Sequence, residues 1–563
     1  MAEIETSLQD RSERIVAPTA PLHSDILERI GTGLEGAEAA AAMRGYLERL
    51  EDAMKEIASR HSRMYWLHLT RRLPPEPLGD SRPWTVTLYR RVLTLAVLKH
   101  GLPGLEGDFN VIDASDGRMV VPRKLTDQDV VDARALEYLA YEFNHATSAF
   151  RRIGKGAVLR VIDGDLRAIA TDDVQAKMVA YDARVAASGT LSSSHGAAVD
   201  VDTFPEPGPS SPMPFAAWGL VSNALREPAE KLVDFARVRF DGPPNHMPAP
   251  FVLDHSREVL VRFEDAMRDA IGATPDALLA SLFGLCTHML KGLRNEPRLA
   301  HQMFNVGYYG VSVGYHYDGV CKNVADYVIA WWQRFLDETI DHPSALTIVK
   351  DAFEALTYSS DDLRDIDLWN RSPFRLILAS DDQRVFDFSA IVEMTAGLFE
   401  AVGSIPGDPD SVKGSGFEQE ISRRAIAAGL TPWKTGRVKL ADGTEREVDA
   451  SFVAGTTLWL VECKAIAQTP RIEAGDYAAL KSRWERLEKH VRQAQTLAAF
   501  VATNRKGTNF EVPAVVENVE YCVCTPAPEW IPSDEPDLWL TPEIPRICTP
   551  DELLIILQRS RGA

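Results

Sequence analysis

The residues best placed to do chemistry lie near the C-terminus, in the run LWLVECKAIA from Leu458 to Ala467. Its apolar, β-branched and aromatic content predicts a strand, in which residues two apart share a face. Glu462 and Lys464 therefore project together, while Cys463 points the other way with Val461 and Ala465. Burying a carboxylate and an ammonium at the end of an apolar strand costs roughly several kcal/mol unless they pair or bind an ion.

A second acid, Asp449, stands in the preceding run TEREVDASFVA, which also reads as a strand. Gly455-Thr456-Thr457 supplies a turn between the two runs, so they are expected to be antiparallel neighbours. Asp449 and Glu462 then meet near one end of a sheet. Two converging carboxylates form the hard oxygen site that Mg²⁺ prefers, and Lys464 beside them can orient or help deprotonate a metal-bound water.

A third acid comes from the helix GFEQEISRRAIAAGL, whose buried stripe is Phe417, Ile421 and Ala425 and which stops at Gly429. Glu418 and Glu420 flank that stripe, and either can lean over the strand ends. A long amphipathic helix follows from Tyr477 to Ala502, with Tyr477, Leu480, Trp484, Leu487, Val491 and Ala494 at three/four spacing. Arg483, Arg486 and His490 share one of its faces, where they could touch phosphates or form a solvated face laced with Glu485 and Glu488. VENVEYCVCTP reads as a further strand. The order helix, strand, strand, helix, strand implies a mixed α/β sandwich.

A helix acid, then Asp, then Glu-x-Lys on consecutive strands resembles the PD-(D/E)XK nuclease superfamily. The text GSGFEQEI, EVDASF and LWLVECKA is most similar to its Mrr-type restriction branch. The resemblance covers only about residues 411 to 530. It implies a restriction-endonuclease-like domain in which Asp449 and Glu462 hold Mg²⁺, with Mn²⁺ as a substitute and the Cys463 carbonyl as a further oxygen. It implies that Lys464 serves the attacking water, and that Glu418, directly after Gly416-Phe417, is the helix acid rather than Glu420. Val448 stands where Pro is common. Some branches carry a helix Gln with a Tyr four residues on; here Gln493 is followed by Leu497, so Gln493 is only an accessory candidate. The implied activity is Mg²⁺-dependent hydrolysis of nucleic-acid phosphodiesters, by a DNA endonuclease in restriction or anti-phage defence. A repair or processing nuclease, or a non-cleaving nucleic-acid-binding protein on the same fold, are the alternatives. A homodimer is compatible with cutting both strands.

The rest of the chain must position this site. Residues 1–202 read as a mostly helical module, with long helical periodicity from Ala37 to Leu69, a buried helix from Trp84 to Lys99, and a hairpin turning at Asp163-Gly164. Residues 203–250 hold the Pro-rich stretches TFPEPGPSSPMPF and GPPNHMPAP and are expected to be a connection. Residues 251–410 read as a second mostly helical module. Val324, Tyr327, Val328, Trp331 and Phe335 fall on one helical face, FRLILAS is a strand, and SAIVEMTAGLFEAVG is a helix ending at Gly403. Residues 411–563 form the last unit. The expected fold class is α/β: a C-terminal α/β/α domain with a mixed sheet, preceded by mostly α-helical modules with a few strands.

Composition bounds the reading. The 563 residues carry a formal net charge of −20, so the whole molecule is not a basic sleeve for nucleic acid. From residue 411 to 506, however, 16 Lys and Arg stand against 11 Asp and Glu, the local positive balance a nuclease needs. The six cysteines form no CxxC pair and no zinc spacing, which fits reduced thiols in a cytoplasmic protein. The start MAEIETSLQDRSER has no apolar signal-peptide core, and Leu278 to Cys286 is too short to span a bilayer. The glycines of Gly31 to Gly36 follow a helix rather than a strand, which argues against a dinucleotide site, and no phosphate-binding GxxxxGK[ST] occurs. Tyr308, Tyr309, Tyr315 and Tyr317 among glycines suit either base stacking or packing against the Trp331 helix.

Overall fold

Local capping marks where the helices begin. Thr126 and Asp129 form a reciprocal capping box at the start of the long central helix Asp127–Gly154, and Asp341 caps His342–Ala355 through the Ser344 amide. Such caps are worth about 1 kcal/mol each. The computed structural model describes residues 13–31, 33–73, 83–105, 107–114, 117–187, 216–222, 246–253, 257, 260–261, 264–295, 307–369, 375–380, 382–391, 412–466 and 470–562. In chain order the helices are α1 (Ala20–Ile30), α2 (Gly36–Ala58), α3 (Arg63–Arg72), α4 (Pro83–His100), α5 (Asp127–Gly154), α6 (Asp172–Ala187), α7 (Glu264–Ile271), α8 (Pro275–Asn295), α9 (Tyr315–Phe335), α10 (His342–Ala355), α11 (Ser360–Arg364), α12 (Val412–Ala427), α13 (Pro470–Glu473), α14 (Tyr477–Thr503) and α15 (Pro550–Gly562).

The long periodic stretch expected from Ala37 to Leu69 divides into α2 and α3. The break falls where Ser62 leaves the helix and caps α3 through the Tyr65 amide. The Asp163-Gly164 turn joins β3 (Val158–Ile162) to β4 (Asp165–Ile169), and both turn residues have positive φ. Upstream of that hairpin lie β1 (Phe109–Ala114) and β2 (Gly117–Pro122), which pair antiparallel. The connection expected over 203–250 contains ordered backbone: β5 (Ala216–Ser222) pairs antiparallel with β6 (His246–Val252). Most of the helix expected to end at Gly403 lies outside the described residues, as does the stretch TFPEPGPSSPMPF.

The two upstream modules share one core. A continuous apolar cluster runs from Ile26 through Phe143, Leu220 and Phe283 to Ile391. The Arg71 guanidinium of α3 pairs at 2.7 Å with Asp387, at the end of β9 (Gln383–Asp387). That strand lies between β7 (Tyr308–Ser312) and β8 (Ile377–Ser380). Pro-rich text separates the two modules in sequence, and this apolar cluster has members from both. Tyr308 and Tyr309 pack against this core, whereas Tyr315 is 90% exposed.

The C-terminal unit is a three-layer α/β/α arrangement on a mixed five-stranded sheet. Its order is β10 (Thr431–Pro432), β13 (Ala450–Ala454), β14 (Thr457–Cys463), β15 (Asn518–Cys524), β16 (Ile547–Cys548). β13 and β14 are antiparallel; β14, β15 and β16 run parallel. Strand alternation divides β14 between two cores. Leu458 and Leu460 pack with Leu487, Val491 and Ala494 of α14. Trp459, Val461 and Cys463 pack with Phe417 and Ile421 of α12 and with Leu553 and Ile556 of α15. Gly455, at φ +61°, makes the tight turn between β13 and β14, and a Cβ there would lie 2.5 Å from the Ser560 carbonyl.

The helical region docks on this unit through α2, α5 and α6. Arg44 pairs with Asp476, the N-cap of α14, and Arg184 pairs with Glu552 at 2.6 Å. Gly154 is so close to Gly475 that any side chain at Gly154 would collide with its carbonyl. No helix among the described residues is long and apolar enough to cross a membrane.

Candidate active site

The expected strand TEREVDASFVA is two strands that part at Asp449. β12 (Glu445–Val448) leaves the main sheet to pair with β11 (Gly436–Lys439), and β13 continues in it. The register Ala450↔Val461 extends by one step to set Asp449 opposite Glu462. There the side chain replaces the backbone ladder: Asp449 Oδ2 accepts from the Cys463 amide at 2.9 Å. The following amide, of Lys464, donates to the Cys524 carbonyl on the other side. Alternation along an extended strand therefore turns the main-chain polar groups of Cys463 toward Asp449.

Three of the four residues singled out as catalytic converge at this strand end. Lys464 Nζ lies 2.7 Å from Glu462 Oε1 and 3.2 Å from Asp449 Oδ2. Both carboxylates touch the same ammonium, so their nearest oxygens are at most about 6 Å apart. Glu462 has only 3% of its side chain exposed, and among the described residues its Oε1 has no aligned hydrogen-bond donor despite the ion pair. Burial pushes its pKa up, Asp449 adds to the rise, and Lys464 opposes it. For Lys464, burial works against the charged form, but Glu462 and Asp449 outweigh it and raise the ammonium pKa.

Glu418 reaches the same field from α12. Its carboxyl is also pushed up, by burial first and then by Asp449, with Lys464 opposing. Glu420 is engaged elsewhere, in ion pairs with Arg423 and Arg424 at 2.9 and 3.7 Å. The two helix acids thus differ in their surroundings.

From the opposite layer, α14 brings His490 to the cluster. Its Nδ1 is buried with no hydrogen-bond partner among the described residues. Burial lowers its pKa, Lys464 and Arg486 lower it further, and Asp449 and Gln493 act the other way. The imidazole is therefore held neutral. Arg486 and Gln493 are exposed next to it. Arg483, expected on the same phosphate-facing surface, is not available there. It is 7% exposed and forms a buried bidentate pair with Glu529, with Nε at 3.1 Å from Oε2. The amphipathic spacing did not separate Arg483 from Arg486 because Glu529 lies 46 residues away in sequence.

Glu447 was missed by sequence reasoning. It is exposed on β12, and its charge raises both Glu418 and Glu462. The signal was available in EREVD, where Glu447 and Asp449 are two apart. The Cys463 thiol faces away from the site into the α12/α15 core, and burial drives its pKa up, so it is no nucleophile.

Four carboxylates with one central ammonium make a net-negative, partly buried strand end. A cation bound there would relieve the repulsion that raises Glu418 and Glu462. Asp449 and Glu462 offer the hard carboxylate oxygens that Mg²⁺ prefers. Among the described residues no group of three or more His, Cys, Asp or Glu side chains is arranged to hold a metal ion. At this strand end the positive charge between the two carboxylates is that of Lys464. Compared with protein-family models, curated proteins and solved structures, the chain matches none of them.

Proposed function

We propose that the chain is a Mg²⁺-dependent nuclease whose C-terminal domain is restriction-endonuclease-like and hydrolyses phosphodiester bonds. The observation that carries this reading is the meeting of Asp449 and Glu462 on Lys464 Nζ at one strand end, with Glu418 in the same field. In this reading Asp449 and Glu462 hold the ion, with the Cys463 carbonyl as a third oxygen. The metal would supply Lewis-acid stabilisation of the phosphate and a lowered pKa for the attacking water. Lys464, an ammonium at neutral pH, orients that water and offsets charge on the scissile phosphate. Arg486 and His490 of α14, beside the cluster, are the proposed contacts to substrate phosphates.

DNA is the proposed substrate and defence against foreign DNA the proposed setting, both resting on the sequence resemblance. The test is incubation of the full chain with plasmid, linear duplex, single-stranded DNA and RNA, each with Mg²⁺ and with chelator. Metal-dependent cleavage of DNA supports the reading; intact substrates under every condition refute it.

A further inference from the structure

A second candidate site lies in the helical region, outside the C-terminal sheet. A cavity of about 510 Å³ opens between α1, α2, α5 and β4, a size in the range of small-molecule pockets. Its wall carries a buried polar group with no partner among the described residues. Tyr46 is 1% exposed and its hydroxyl has no hydrogen-bond partner among the described residues. Beside it, burial pushes the Glu142 carboxyl up, and only the Tyr138 hydroxyl bonds to it; His145 and His23 act on it from a distance. Glu142 forms no ion pair among the described residues. Met43 and the Tyr141 ring give the pocket apolar and aromatic surface.

Positive charge gathers on another side of the same cavity. Arg152 is fixed by neutral groups, the Ala168 carbonyl at 3.1 Å and Gln175 at 2.8 Å, and has no carboxylate partner among the described residues. Arg167 is exposed beside it, with a loose 3.4 Å contact to Asp165. The pocket thus joins a hydrogen-bond acceptor and aromatic rings within to guanidinium groups along one edge. An N–H-rich planar heterocycle carrying an anion has the matching pattern, since carboxylates accept from exocyclic amino groups and guanidinium binds phosphate.

We propose that this cavity binds a mononucleotide, with an amino-bearing base against Glu142 and Tyr46 and the phosphate at Arg152 and Arg167. The site is independent of the nuclease reading.

The test is calorimetric titration of the full chain with GMP, AMP, CMP and UMP, and with guanosine and inorganic phosphate as part-ligands. At least one amino-bearing mononucleotide should bind in the micromolar range, with UMP, guanosine and phosphate tenfold weaker or more. Tyr46→Phe and Glu142→Gln should each weaken that binding about tenfold or more. Tyr46→Phe removes only an unpartnered hydroxyl, so its thermal unfolding should match the parent's. Absence of binding at about 1 mM for every mononucleotide, parental affinity in both variants, or equal binding of UMP or phosphate overturns the proposal.

Discussion

The Asp449 carboxylate accepts the backbone amide of Cys463 at 2.9 Å, at the point where β12 leaves the sheet. One side chain thus ends a ladder, fixes its own carboxylate opposite Glu462, and stays within 3.2 Å of Lys464. Asp449→Ala removes the acceptor as well as a proposed metal oxygen. Asp449→Asn keeps an acceptor and loses only the charge. Both variants should lose Mg²⁺ affinity by tenfold or more in calorimetry, while Asn retains more of the parental stability than Ala, by about 1 kcal/mol.

Lys464 has a different task in the proposed mechanism. Lys464→Ala should leave Mg²⁺ and DNA binding largely intact and slow cleavage by about 10² or more, the range for a lost acid/base group. Cleavage rate and metal affinity measured side by side separate it from Asp449. A Lys464→Ala protein that cuts at the parental rate would make the ammonium a structural counter-ion.

Much of this site was legible from local pattern. Glu-x-Lys on an apolar strand, the Gly455 turn and the Phe417 stripe fix faces and neighbours within about 50 residues of one another. What depends on distant partners was not legible. Arg483 reads as a surface cation until Glu529, 46 residues on, covers it. Contacts across the upstream region were not legible for the same reason: Pro-rich spacing is local, whereas Arg71 finds Asp387 across 316 residues.

The Arg483–Glu529 pair yields a stability prediction. Both side chains are almost fully buried, so Arg483→Ala strands a carboxyl in the protein interior. That should cost roughly 3–5 kcal/mol in chemical denaturation. Removing both partners, as Arg483→Leu with Glu529→Leu, should cost much less, because no uncompensated charge remains. Equal losses in the single and double variants would show that the pair is not coupled.

A pH window follows from the His61 cluster, where the ring nitrogens lie 2.8 Å from Asp108 and 3.2 Å from Asp129. Burial opposes the charge on His61, but bonds to Asp129 and Asp108 outweigh it and raise its pKa. Burial likewise opposes the charge on Asp129, yet His61, Arg123 and Thr126 hold its pKa well below the ordinary range. A raised histidine stabilises fully below its unfolded value of about 6.5 and loses that contribution as pH rises through the folded value. A depressed carboxylate stabilises above about 4 and loses its contribution as pH falls. The cluster is therefore most stabilising between about pH 4 and 6.5. Urea denaturation of the parent and of His61→Gln should differ most in that window and converge toward pH 9; a constant difference across pH would contradict the ionic account.

The central claim is that Glu462 and Asp449 hold a catalytic Mg²⁺. Its most direct measurement is the single-turnover cleavage rate of a DNA duplex as Mg²⁺ is titrated, for the parent and for Glu462→Gln, which keeps the side chain's shape and removes its charge. The account predicts saturable, Mg²⁺-dependent cleavage by the parent. It predicts a rate at least about 10² lower in Glu462→Gln at all but the highest Mg²⁺ concentrations. Cleavage by the parent in chelator, or parental rates and Mg²⁺ dependence in Glu462→Gln, would contradict it.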